Sequence, residues 1–185
     1  MKVLVQNNFA LGQTHLGVAV FAAREFAPGD VITQFTGSSI PKSRLPKKYE
    51  GAADRFVQIG LRRFMGPSGE VDDFINHSCD PNAGLKFTTS GILLVAIRTI
   101  EIGEEIAWDY STTMFDNNWK MRCDCRTPLC RKIVGDFMLL DPKIQRRYLK
   151  LGIVPPYIQD YMKSTEYKVY TDGIQQLISH GSKKK

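Results

Sequence analysis

Long apolar runs are missing from this chain. The longest strongly apolar stretch, Ile92 to Ile97, is far too short to cross a bilayer. Only three apolar residues follow Lys2 before Gln6-Asn7-Asn8, so there is no signal-peptide core. An intracellular protein, nuclear or cytoplasmic, is therefore expected. There is also no internal repeat and no long linker. The basic helix and aromatic-stacking signature of a nucleic-acid binder are absent too, so direct nucleic-acid binding is not indicated. Cysteine is scarce, at four residues. Without a secretory signal, two long-range disulfides are a poor use for them.

What remains has an ordinary globular composition, 43% apolar and 24% charged, over a length suited to one core with an appendage. The net charge of +6 permits an acidic partner without requiring one. Short β-type runs fill the first two thirds: Val3 to Val5, Val18 to Ala22, Val31 to Phe35, Phe56 to Ile59, Ile92 to Ile97 and Glu105 to Trp108. Turn clusters such as Pro28-Gly29-Asp30 and Asp80-Pro81-Asn82 separate them. A charged insert at about 41–54 interrupts the strands and predicts a loop with a helical turn. After Asp136 the period changes. Asp141 can cap, Pro142 suits a first turn and Gly152 can terminate, with Ile144, Tyr148 and Leu151 at helical spacing between them. A second helix is expected after Pro155-Pro156, a third around Ile174 to Ser179, and a frayed basic tail at the end. The fold class is mainly β (α+β).

Two segments carry chemistry. In "DDFINHSCDPNAGLKF", Asp72 to Phe87, the apolar Phe74-Ile75 pair leads into four polar residues, and a turn follows. This pattern suggests a segment that enters the core and meets a ligand there. In "CDCRTPLC", Cys123, Cys125 and Cys130 are too close for easy disulfides with one another. They can instead give three thiolates to a tetrahedral zinc, with Cys79 as the remaining cysteine to complete the set. Four cysteines leave no position open for a reacting water, so such a zinc is structural, one ion per chain. Unliganded buried thiols are the bland alternative.

"FINHSCDPN", "AIRTIEIGEEIAWDY" and "CDCRTPLC", preceded by "LGVAVFAAREFAPGDVITQFTG", together resemble the SET-domain protein-lysine methyltransferases with a post-SET zinc module. The resemblance spans about His15 to Arg131, with every block in family order. It implies a SET fold of several small sheets, in which the Asn-His segment is threaded beneath the Asp-Tyr segment in a pseudoknot-like active site. Residues 1–114 would form the SET domain, 115–135 the post-SET module and 136–185 a helical extension.

The resemblance also implies S-adenosylmethionine as cofactor and, as methyl acceptor, an exposed lysine of a protein substrate such as a histone or another basic protein. Leu16, Gly17, Asn76 and His77 would hold the cofactor, the last through its main chain or its ring. Tyr110 would be the catalytic tyrosine. Trp108 stands where relatives carry Tyr or Phe and where the number of methyl groups added is set. Trp119 and Met121 are candidates for the adenine, and Phe115, Asn117 and Asn118 for the border of the lysine channel. Three features depart from the family: His15 in place of a glycine, Asp72-Asp73 in place of Ala-Arg, and no cysteine-rich module before the domain. A catalytically silent, zinc-stabilised interaction module of the same fold is the competing reading. Such a module would be free to lose Tyr110, Asn76 and His77, and all three are present.

Overall fold

The structure is a computed structural model that describes residues 5–6, 8–46, 55–116 and 119–164. It divides into two compact units, Met1–Pro155 and Pro156–Lys185.

In the first unit β1 (Val5–Gln6), β2 (Phe9–Thr14) and β3 (Gly17–Ala22) form one antiparallel sheet. The β2–β3 hairpin turns through His15-Leu16, with Thr14 paired to Gly17. Gly17 has φ +107°, a conformation that side chains rarely tolerate. A second sheet joins β4 (Val31–Phe35) to β10 (Gly91–Ala96) and β10 to β9 (Ala83–Thr88). Along the central β10, Ile92, Leu94 and Ala96 point into the core at the strand period. They pack with Phe26, Leu85, Ile100 and Ile106. A third sheet orders β5 (Ser39–Pro41), β7 (Arg63–Met65) and β6 (Val57–Gly60). The expected mainly β architecture of several small sheets is the one observed. Strand β9, Ala83–Thr88, was not among the expected strands although Ala83, Leu85 and Phe87 alternate along it. Its Gly84 is required by packing, since a Cβ there would stand 2.7 Å from Cγ2 of the buried Ile153.

Between these sheets lies the part of the fold that builds the site. Two-residue strands β8 (Asn76–His77) and β11 (Ala107–Trp108) run parallel, with Asn76 opposite Ala107 and His77 opposite Trp108. So short a parallel pair needs help from side chains. Asn82 supplies it: its Oδ1 accepts the Ala107 N–H at 2.9 Å, and its Nδ2 donates to the Glu105 carbonyl at 2.8 Å and to Glu104 Oε1 at 3.0 Å. Downstream, β12 (Met121–Arg122) pairs with β13 (Ile133–Val134) and brackets the cysteine triplet.

Helix α1 (Pro142–Leu151) keeps its expected limits. The Asp141 carboxylate accepts the Lys143 N–H at 2.7 Å, and Gly152 ends the helix at φ +68°. In the second unit α2 (Pro156–Lys163) begins at Pro156, as expected. The described part of the charged insert contains a 3-10 turn, Lys42–Arg44. Val3 and Leu4 of the first expected strand, the third helix near 174–179 and the basic tail lie outside the described residues.

Candidate active site and metal centre

A pocket opens beside β8 and β11. Tyr110, two residues past Trp108, starts a 3-10 turn whose cap Asp109 accepts the Ser111 N–H at 3.0 Å. The turn swings the phenol across the strand pair, where its hydroxyl donates to the Ile75 carbonyl at 2.9 Å. Trp108 is 3% exposed and lies 4.8 Å from the Tyr110 ring, centroid to centroid, tilted by 46°. Phe35 meets its other side edge-on at 6.0 Å. Both Trp108 and Tyr110 line the pocket, with Leu16, Asn76, Trp119 and Met121 around them. Asn76 donates its amide N–H to Glu105 Oε1 at 2.9 Å, so its carbonyl oxygen is the group it offers to a ligand. Phe115 is pinned elsewhere, its backbone bonded to the buried Gln58. Asn117 and Asn118 lie outside the described residues.

His77 turns its ring inward. Its Nδ1 accepts the Tyr110 N–H at 3.2 Å, which fixes the proton on Nε2, and Nε2 faces Cys79 Sγ at 3.3 Å. Burial lowers its pKa to about 4, against the raising influence of Asp109, so the ring is neutral. The imidazole thus joins the aromatic site to the cysteines, and His77 is not among the residues that line the pocket around Tyr110.

The ligand atoms of Cys79, Cys123, Cys125 and Cys130 all lie within 4.8 Å of one another. The Sγ atoms of Cys79 and Cys123 are 3.8 Å apart. A tetrahedron with arms of about 2.3 Å has edges of about 3.8 Å, so this spacing suits a metal ion. Burial pushes the Cys79 and Cys123 thiols up, and a cation at their centre is what would hold these sulfurs together as thiolates.

With this geometry in view, comparisons with known proteins are decisive. The SET domain family pattern matches residues 17–111, about half of the chain. The chain belongs to the SET-domain family. A variant-silencing SET domain-containing protein of Plasmodium falciparum is 31% identical over 130 residues, covering 62% of this chain and 5% of that protein. The histone-lysine N-methyltransferase trr of Drosophila melanogaster is 30% identical over 150 residues, covering 71% of this chain and 6% of that protein. The chain thus spans a small part of the length of these relatives. A crystal structure of KRYPTONITE in complex with mCHH DNA, H3(1-15) peptide and SAH shares the fold, with a TM-score of 0.57 and 18% identity over 70% of this chain and 30% of that one.

Three features of this SET domain were not read from its sequence. The first is Asp109, fully buried between the two motifs. Arg131 grips both of its oxygens, at 2.7 and 2.8 Å, and the Tyr148 hydroxyl of α1 donates to Oδ2 at 3.0 Å. Burial opposes the charge on Arg131, but the paired bonds to Asp109 outweigh it and raise its pKa. Burial and the neighbouring Asp109 also raise Tyr148, which stays a neutral donor. The Arg131 N–H in turn points at Cys79 Sγ at 3.4 Å. One carboxylate therefore ties the tyrosine turn, the cysteine loop and α1 together.

The second feature is His15, which the sequence showed only as a departure from the family's glycine. Its Nε2 lies 2.7 Å from the carbonyl of Asp124, between two of the cysteines, so the hairpin turn is latched to the cysteine loop. The third is the acidic pair. Asp72 accepts from the Thr36 N–H at 2.9 Å and from Ser68 Oγ at 2.7 Å, while Asp73 accepts from the Ser68 and Gly69 N–H groups at 3.0 and 2.8 Å. These two aspartates fix the loop leading into β8. Their only sequence signal was the departure from the family pattern.

Proposed function

We propose that this SET domain transfers a methyl group from S-adenosylmethionine to the side-chain amine of a lysine in a protein, with a histone or another basic protein as substrate. The observation that carries the reading is the aromatic pocket in which the Tyr110 hydroxyl, anchored on the Ile75 carbonyl, stands beside Trp108 and Asn76. The names of relatives such as trr and the H3 peptide in the KRYPTONITE complex support it.

The donor set suits the cofactor: aromatic and aliphatic walls for its nucleoside and thioether, and polar side chains for its amino-acid end. When bound, the cofactor supplies an electrophilic methyl on sulfur. The protein's part is positioning and exclusion of water, since the transfer is an in-line displacement. The attacking amine must be neutral, although a free lysine titrates at about 10.4. Walls of Trp108, Tyr110 and Phe35 exclude water from the ammonium and favour loss of its proton. The Tyr110 hydroxyl orients the amine or the methyl by hydrogen bonding. It is not a strong base, because phenols titrate near about 10 unless perturbed. Leu16 and Gly17 at the hairpin turn and Asn76 at the pocket wall are the cofactor-binding residues in this reading, with His77 contributing main chain. The test is incubation with labelled S-adenosylmethionine and total cell protein, followed by identification of the modified residues. Label on arginine, or no transfer at all, would remove the assignment.

The bulk of Trp108 sets the product. With its ring against Tyr110, a methylated amine lacks room to rotate back into line, so monomethyl-lysine is expected to dominate. Trp108→Phe should raise the di- and trimethyl fractions without abolishing activity. Mass spectrometry finding abundant trimethyl-lysine from the unaltered enzyme would refute this.

A closed set of four cysteines selects zinc in a structural role. Metal analysis should therefore return one zinc per chain. Chelation should disorder the segment after Trp119 while the sheets persist, because structural zinc contributes folding energy locally. Active, unchelated protein without zinc would contradict it.

A further inference from the structure

Aromatic and aliphatic side chains form much of the pocket around Tyr110, and three charged side chains, Arg55, Asp72 and Asp73, also line it. Among its described lining residues Arg55 is the single cation, and Asp73 lies beside it. The Arg55 guanidinium is 3.9 Å from Asp73 Oδ2 and 4.6 Å above the Phe74 ring. The first distance is an ion pair longer than a hydrogen bond. The two carboxylate oxygens of Asp73 already accept backbone N–H groups from Ser68 and Gly69. Asp73 is thus a fixed counter-charge, and Phe74 a fixed platform, for a guanidinium whose side chain is 42% exposed. The ion pair and the ring contact together hold the guanidinium beside the pocket, and holding so long a side chain costs entropy. Asn76, on the same pocket, offers a carbonyl oxygen, since its N–H goes to Glu105. A positive fork and a neutral acceptor on one pocket match the two ends of an α-amino acid, its carboxylate and its ammonium.

We infer that Arg55 binds the α-carboxylate of the methyl donor's amino-acid moiety, with Asp73 and Phe74 orienting the guanidinium. This assignment rests on the methyltransferase reading. It makes Arg55 a cofactor-selecting residue: the nucleoside alone would not engage it, and a ligand without the carboxylate would gain nothing from it. A guanidinium can meet a carboxylate through two parallel hydrogen bonds, which a lysine ammonium cannot reproduce.

The test is binding, read by calorimetry on the full chain. The probes are S-adenosylhomocysteine and its decarboxylated analogue, which keeps the nucleoside, thioether and amine. Arg55→Met retains the aliphatic stem over Phe74 and removes the charge. It should weaken S-adenosylhomocysteine by about 10–100-fold, the range of a charge-assisted hydrogen bond, and leave the decarboxylated analogue unchanged. Arg55→Lys should fall between. Unchanged affinity for S-adenosylhomocysteine in Arg55→Met overturns the assignment, as does an equal loss for both ligands, which would mark Arg55 as merely structural. Unaltered protein that binds neither ligand overturns the methyl-donor reading itself, and this assignment with it.

Discussion

Tyr110→Phe is expected to lower single-turnover methyl transfer by about 100-fold, the scale of losing one preorganised polar group from a reacting centre. The ring would remain, so the packing against Trp108 at 4.8 Å should persist. What is lost is the hydroxyl that donates to the Ile75 carbonyl, an acceptor only two residues from His77. Cofactor affinity and the thermal midpoint should change little, because neither Asn76 nor the cysteine loop depends on that hydroxyl. The measurements are rapid-quench transfer with saturating S-adenosylmethionine, cofactor binding by calorimetry and a melting curve. Turnover within a factor of about two of the parent would show that the phenol does not orient the reacting groups.

Asp109→Asn should be the most destabilising single change in the molecule that leaves volume nearly constant. The substitution leaves Arg131 facing a neutral amide while its backbone still points at Cys79. Removing one partner of a buried ion pair costs about 3–5 kcal/mol; because the Arg131 side chain is 20% exposed, about 3 kcal/mol is expected. Tyr148 would lose its charged acceptor at the same time. The consequence should spread beyond stability: proteolysis within the cysteine loop should accelerate and zinc should be released faster, since the loop loses its anchor to the tyrosine turn. Adding Arg131→Met to Asp109→Asn should restore part of the loss, because the buried charge is then gone. Denaturant melts of the two variants decide the matter. A loss below about 1 kcal/mol for the single change would mean that the network is solvent-relaxed and not a structural hub.

Several parts of this SET domain could be read directly from residue order. Asp141, Pro142 and Gly152 set both ends of α1, because capping acts within one turn of chain. The continuous apolar run Ile92 to Ile97 marked the central strand β10. The spacing of Cys123, Cys125 and Cys130 pointed to a metal loop. Strands β2, β5, β7 and β9 were not read from the sequence, and each is ordered by its pairing partner.

Residue order thus determined the mainly β class, the family, the bounds of α1 and the candidate residues Asn76, Tyr110 and the four cysteines. All of these depend on local period, local spacing or motif. Tertiary structure alone decided which side chains meet. Asp109 finds Arg131 22 residues away and Tyr148 39 away, and His15 reaches Asp124 across 109 residues. The His77 ring faces sulfur because Tyr110 claims its other nitrogen. Such convergences leave no periodic trace in a sequence. A buried charge or imidazole is stable only where several distant elements close around it, and that condition exists only once the chain is folded.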